Sequence, residues 1–144
     1  MEGPFGSLHS VYDVGPVLGK GGFAVVHSAL HRATGMQVAL KVIETSRLNA
    51  EELRRVHREV EVHEALSREG NANVVRLLGK HADADRIYLV LEYCANGDLY
   101  QMLRRNGPLP EDHARHLVWQ LLQGLSFLHE RNVVHRCVGR KGSA

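Results

Sequence analysis

Val38-Ala39-Leu40-Lys41 is a short aliphatic run that carries a single lysine, and just upstream of it stands a glycine-broken stretch, Leu18-Gly19-Lys20-Gly21-Gly22-Phe23-Ala24-Val25-Val26. Three glycines in four positions let a backbone turn sharply and leave its N–H groups unobstructed by Cβ atoms. That is the property needed to lie over an anionic phosphate chain. Lys41 would supply the fixed positive charge beneath it.

Around this pair the patterning is that of a small sheet. Tyr12 to Leu18 alternates as a strand, breaks at Gly19 to Gly22, and resumes from Phe23 to Leu30. Thr34-Gly35 gives a turn and Met36 to Ile43 a third strand, and connections this short predict an antiparallel meander. From Ala50 to Ser67 the period changes: Leu53, Val56 and Val60 form an apolar stripe, charged residues occupy the other faces, and Glu59 lies beside the stripe. An amphipathic helix lying over a sheet is expected. After a Gly70-Asn71-Ala72-Asn73 loop, Val74 to Lys80 and Ile87 to Glu92 read as two further strands joined by the acidic turn at Asp83-Ala84-Asp85.

Beyond Glu92 the pattern is helical. Asp98 to Arg105 predicts a short helix stopped by Asn106-Gly107, and Pro110 followed by Glu111 and Asp112 marks the start of a longer one. Ala114, Leu117, Val118, Leu121, Leu122, Leu125 and Leu128 keep helical spacing through Glu130, and Trp119 reads as core-edge packing. Residues 1–11 read as a loose lead-in and the tail, Cys137 to Ala144, has no periodicity.

Composition bounds the rest. The chain has 144 residues, 44% hydrophobic and 24% charged, which suits one globular domain. A net charge of +2 with no basic block gives no argument for nucleic acid or an anionic membrane, and neither is expected as a partner. Cys94 and Cys137 are widely spaced, so free thiols in a reducing compartment are expected, and neither a bilayer-spanning run nor a signal sequence is read. A cytoplasmic or nuclear protein is the expectation.

The glycine stretch, then Val38-Ala39-Leu40-Lys41, then Leu89-Val90-Leu91-Glu92-Tyr93-Cys94, and finally His135-Arg136 resemble the ordered signature of the eukaryotic protein kinases. Each piece is weak alone; four in order are specific. Lys20-Gly21-Gly22-Phe23-Ala24 and the wording from Leu89 to Asp98 are most similar to the polo-like serine/threonine branch. The resemblance covers Tyr12 to Arg136. It implies an α+β fold: an N-lobe of five antiparallel strands and one helix over 12–92, a hinge at 92–97, and the first helices of a C-lobe over 98–136.

It also implies roles. ATP is the cofactor, with Lys41 pairing with its phosphates and with Glu59, and the glycine stretch Leu18, Gly19, Lys20, Gly21, Gly22, Phe23 and Ala24 covering them. Ala24 replaces the third glycine of the general pattern. Val26 and Ala39 would pack on the adenine faces, Leu91 would be the gatekeeper, backbone groups of Glu92 and Cys94 would bond the adenine edge, and Asp98 would lie near the ribose. His63, Leu77 and His135 match a stack of side chains that joins the lobes in the family, and a histidine at position 63 would need a hydrogen-bond partner.

The departure from the family lies at the end. Cys137 occupies the place of the catalytic aspartate, Gly139 that of the lysine and Gly142 that of the magnesium-binding asparagine, and the family's Asp-Phe-Gly does not follow. Magnesium is therefore implied by the resemblance while its protein ligands are missing, and phosphoryl transfer by these residues alone is expected to be absent. In the family, downstream helices cover the apolar face of the 111–130 helix; here that face would stay wet, meet a protein partner, or self-associate. Ten histidines raise a metal site, His113 with His116 or His27 with His31, but neither pair has a third ligand at a known spacing, so no metal is assigned. Two functions stay open: an ATP-dependent serine/threonine kinase represented by its nucleotide-binding half, and a non-catalytic, pseudokinase-like fragment that binds nucleotide or a partner.

Overall fold

Alternation along β3 (Gln37–Glu44) puts Val38, Leu40 and Val42 on one face and Ala39, Lys41 and Ile43 on the other, and both faces are covered. The computed structural model describes residues 6–135. Within them β1 (Tyr12–Lys20), β2 (Ala24–His31), β3, β4 (Leu77–Ala82) and β5 (Arg86–Glu92) form one antiparallel sheet in the order β1-β2-β3-β5-β4. The first three strands are the expected meander. β5 then inserts between β3 and β4, so β4 becomes an edge. The glycine break is shorter than predicted, because β1 continues to Lys20 and only residues 21–23 are turn, and β4 starts at Leu77 rather than Val74. Pro16, which has no N–H to give a ladder, sits in edge strand β1, where the register shifts between Val14 and Val17.

The outer face of the sheet packs Val38, Leu40, Val42, Tyr88 and Val90 with Tyr12 and Leu8. Leu8 corrects the expected lead-in: Gly6–Ser10 form a 3-10 turn and Leu8 is only 4% exposed. The inner face packs Ile43 and Leu89 against Val60 of α1 (Ala50–Glu69). Helix α1 begins with a capping box: Asn49 Oδ1 accepts the N–H groups of Glu51 and Glu52, and Glu52 Oε2 accepts the N–H of Asn49.

Residues 6–69 with 75–93 make one compact unit, and residues 70–74 with 94–135 make a second. The second holds α2 (Leu99–Asn106) and α3 (Glu111–His129). Helix α2 stops as expected, at Gly107 with φ of +78°. On α3, a Cβ at Gly124 would stand 3.0 Å from the carbonyl oxygen of Asn73, so glycine lets the helix and the 70–74 segment meet there without either having to shift. Phe127 and Leu128 of α3 are buried, whereas Val118, Trp119, Leu121 and Leu122 are exposed. Trp119 is thus not core-edge packing; it is 56% exposed and stacks on His116.

The acidic turn between β4 and β5 carries a pH prediction. Asp83 accepts the Tyr88 hydroxyl on Oδ2 at 2.6 Å and the N–H groups of Asp85 and Arg86 on Oδ1. The Tyr88 hydrogen bond, helped by those N–H groups, holds the Asp83 carboxyl below the usual carboxylate range against the opposing effect of burial. A carboxyl depressed in the fold stabilises it above the unfolded-state pKa, and that contribution is lost as pH falls through the folded value. Urea melts stepped down from about pH 6 to pH 2 should show this loss, and Asp83→Asn should flatten it. An unchanged acid limb in the variant would assign the effect elsewhere.

Candidate functional site

Strand register assembles the inner face. Val26 pairs with Lys41, Lys41 with Leu89, and Ala39 with Leu91, so Val26, Ala39, Lys41 and Leu91 look out from the same side of the sheet. Ala39 is buried, and Val26 and Leu91 are half-buried. Lys41 lies under α1, and its Nζ donates to Glu59 Oε1 at 2.9 Å. The predicted pair is therefore formed.

That pair does little for stability. The Lys41 and Glu59 side chains are 26% and 64% exposed, and ion pairs this open to water contribute about 0–1 kcal/mol. What the bond does is fix the direction of the ammonium group. A lysine held by one carboxylate keeps two further donors for a second anion.

The glycine turn is closed by the Gly21 N–H donating to the Ala24 carbonyl at 2.7 Å. None of Gly19, Gly21 and Gly22 has positive φ, and Cβ atoms at Gly19 and Gly22 would meet nothing within 4 Å. The chain's own conformation does not demand glycine at these three positions. Open space over bare backbone is what they provide, and that space suits an approaching ligand. Ala24, in place of the third glycine, packs against the inner core cluster. Leu18, Lys20 and Phe23 are exposed.

The remaining predicted residues are placed as follows. Glu92 gives its N–H to the Arg76 carbonyl at 3.0 Å, and its carboxylate accepts the Arg76 N–H, so that N–H is committed within the sheet unit. Cys94 and Asp98 belong to the second unit. Cys94 is a free, exposed thiol whose carbonyl accepts the Gly97 N–H. Asp98 has a local role that the resemblance did not suggest: it caps α2, its Oδ1 accepting the Gln101 N–H at 2.7 Å. Leu77 packs in the inner cluster, and His135 is exposed in the second unit. His63, which needed a partner, has one in the Val75 carbonyl. Cys137, Gly139, Gly142 and the whole 137–144 segment lie outside the described residues.

Two cavities, of about 340 and 400 Å³, lie in the sheet unit. His57, Val60 and Ile87 help line the first and Phe23, Glu44 and Arg86 the second; neither is lined by Lys41. The ion pair, rather than concavity, marks the candidate site. The arrangement offers a directed ammonium, a small buried Ala39 two residues before it on the same strand, and a turn of open glycine backbone in the preceding hairpin, a set that suits a polyphosphate ester of a flat apolar base. Among the described residues no three His, Cys, Asp or Glu side chains converge. Among them too, no helix is long and apolar enough to cross a membrane.

Residues 12–139 match the sequence profile of the family described as protein kinase domain. The chain is 39% identical over 125 residues to serine/threonine-protein kinase SIK1 of Mus musculus, an alignment covering 87% of this chain and 16% of that protein. It is 39% identical to the Aurora kinase of Schizosaccharomyces pombe over 127 residues, 88% of this chain and 35% of the relative. With serine/threonine-protein kinase ATG1a of Arabidopsis thaliana the identity is 39% over 125 residues, 87% of this chain and 20% of the relative. The chain thus spans about a third or less of the length of these relatives.

Proposed function

The chain belongs to the protein kinase family, and from that premise we propose that it is the ATP-binding part of a serine/threonine kinase, unable by itself to transfer phosphate. The observation that carries the nucleotide reading is the 2.9 Å bond between Lys41 and Glu59, with the open backbone of the glycine turn as its support. Lys41 would hold the α and β phosphates, Glu59 would aim it, and Gly19 to Gly22 would cover them. Val26, Ala39 and Leu91 would enclose the adenine, whose edge Glu92 and Cys94 would bond. Residues 12–92 serve as N-lobe, 92–97 as hinge and 98–136 as the start of the C-lobe. ATP brings the transferable phosphoryl group; the residues of this chain bind, orient and shield it.

The inactive part of the reading rests on sequence. Cys137 stands where the family places the carboxylate that takes the substrate hydroxyl proton, and Gly142 where an asparagine holds magnesium. A thiol or thiolate is a soft group, poorly suited to magnesium and different in basicity from a carboxylate. The polo-like assignment rests on Lys20 to Ala24 and Leu89 to Asp98, and a cytoplasmic setting on the free thiol of Cys94. A second reading, a pseudokinase-like module that holds a partner, is favoured by the exposed Val118, Trp119, Leu121 and Leu122 on α3.

Calorimetric titration of ATP into the purified chain, run beside a radiolabel-transfer assay on a generic protein substrate, tests both halves. Heat of binding without transfer is expected. Soluble, monodisperse protein giving no heat would overturn the nucleotide site, and transfer that depends on Lys41 would overturn the inactivity.

A further inference from the structure

Of the asparagines in this chain, Asn96 and Asn106 alone precede a glycine. Such a pair carries a reaction of its own. The glycine nitrogen attacks the asparagine Cγ, a C–N bond forms, the Cγ–Nδ2 bond breaks, and ammonia leaves with the N–H proton. Water then opens the cyclic imide. Opening at Cγ gives aspartate, whereas opening at the main-chain carbonyl carbon leaves the backbone running through Cβ as isoaspartate, with a free carboxylate. Water is the co-reactant, and nothing is oxidised or reduced. Glycine favours the attack because no Cβ crowds its nitrogen.

The structure treats the two pairs differently. Attack requires the asparagine ψ to rotate until the next nitrogen reaches Cγ, and it requires that nitrogen to give up its proton. Both are obstructed at Asn106. It is the last residue of α2, and the Gly107 N–H is held by the Leu103 carbonyl at 2.9 Å, so the rotation must pull open the end of a helix. Asn96 is exposed and lies in the turn between Cys94 and Gly97, outside helix and strand. The bond that closes this turn runs from the Gly97 N–H to the Cys94 carbonyl at 3.2 Å, the long end of the usual range. Among the described residues the Asn96 amide has no hydrogen-bond partner, whereas Asn49 and Asn71 use theirs to accept backbone N–H groups.

We propose that Asn96 is a site of spontaneous covalent modification: at the Asn96-Gly97 turn the protein converts its own amide into an isoaspartyl linkage, while α2 protects Asn106-Gly107 from the same reaction. The product carries one more negative charge and an extra backbone carbon. The Gly97 N–H then no longer lies opposite the Cys94 carbonyl, so the turn opens. The new group is also chemically distinctive, since an isoaspartyl carboxylate is the substrate class of S-adenosylmethionine-dependent isoaspartyl methyltransferases. The inference does not depend on nucleotide binding.

The test is to age the full chain in mildly alkaline buffer, native and in denaturing urea, and to follow the 96–97 and 106–107 peptides by mass spectrometry. Each native rate is divided by its own denatured rate, which removes the effect of flanking residues. Asn96 should then convert about 10-fold faster than Asn106, the factor expected when one pair must break an additional well-formed hydrogen bond and open a helix end. Aged protein should accept a methyl group from an isoaspartyl methyltransferase, and Asn96→Gln, at an exposed position with no partner to lose, should fall to the level of unaged protein. A normalised ratio of about threefold or less would overturn the proposal. So would methyl acceptance that survives Asn96→Gln, or conversion to aspartate with no methyl acceptance.

Discussion

Lys41→Met is expected to erase the stabilisation that ATP gives this chain. Methionine keeps an unbranched stem of similar reach and so preserves the packing of the lysine methylenes, while the charge is lost. Glu59 is then left facing the nucleotide's phosphates with no cation between them, so an attraction is replaced by a repulsion. A loss of about 100-fold in affinity is expected, equivalent to about 2.7 kcal/mol. At an ATP concentration 100 times the wild-type dissociation constant, binding stabilises the fold by about 2.7 kcal/mol; a hundredfold weaker variant retains about 0.4 kcal/mol. Without nucleotide the variant should melt close to wild type, because the ion pair is largely open to solvent. Thermal melts with and without ATP provide the check. A full nucleotide shift in the variant would mean that the site is elsewhere.

Leu40→Ala should cause the largest loss of intrinsic stability. Leu40 is 0% exposed, lies on β3 between β2 and β5, and packs in a cluster with Val38, Tyr88, Val90 and Leu8. Removing its branched end leaves a cavity in the middle of a strand hydrogen-bonded on both sides, where neighbours cannot collapse inward. Substitutions of this kind destabilise by about 2–5 kcal/mol, a large part of the roughly 5–15 kcal/mol that holds a domain together. Urea unfolding should show the midpoint falling with an unchanged slope. Leu122→Ala on α3, already half exposed to water, should move it by less than about 0.5 kcal/mol. Equal effects of the two substitutions would mean that the sheet core has been misidentified.

Much of this was legible because the signals are local. Alternation gave the β1-β2-β3 meander, the stripe of Leu53, Val56 and Val60 gave α1, and Asn106-Gly107 gave the end of α2. Motif order singled out Lys41 and Glu59 as partners, and the structure joins them. Other features were legible but missed. Asn49 and Glu52 spell a capping box, and Glu59, His63 and Ser67 fall at a spacing that puts them on one helix face. The capture of Leu8 by the outer core and the exposure of Trp119 carry no local signal, since each depends on which surface happens to lie opposite.

The amino-acid order by itself determined the periods of the elements, their stops and the presence of one lysine on a strand close after a glycine-rich turn, because these depend on neighbours within a few residues. Only the tertiary structure decided that β5 pairs with β3 ahead of β4, that Ser67 of α1 is bonded to Leu77 of β4, and that His63 of α1 is bonded to the Val75 carbonyl just ahead of that strand. Those outcomes turn on which apolar faces are buried together and which polar groups must then find partners. Distant parts of the chain settle that jointly, and no short window of sequence contains it.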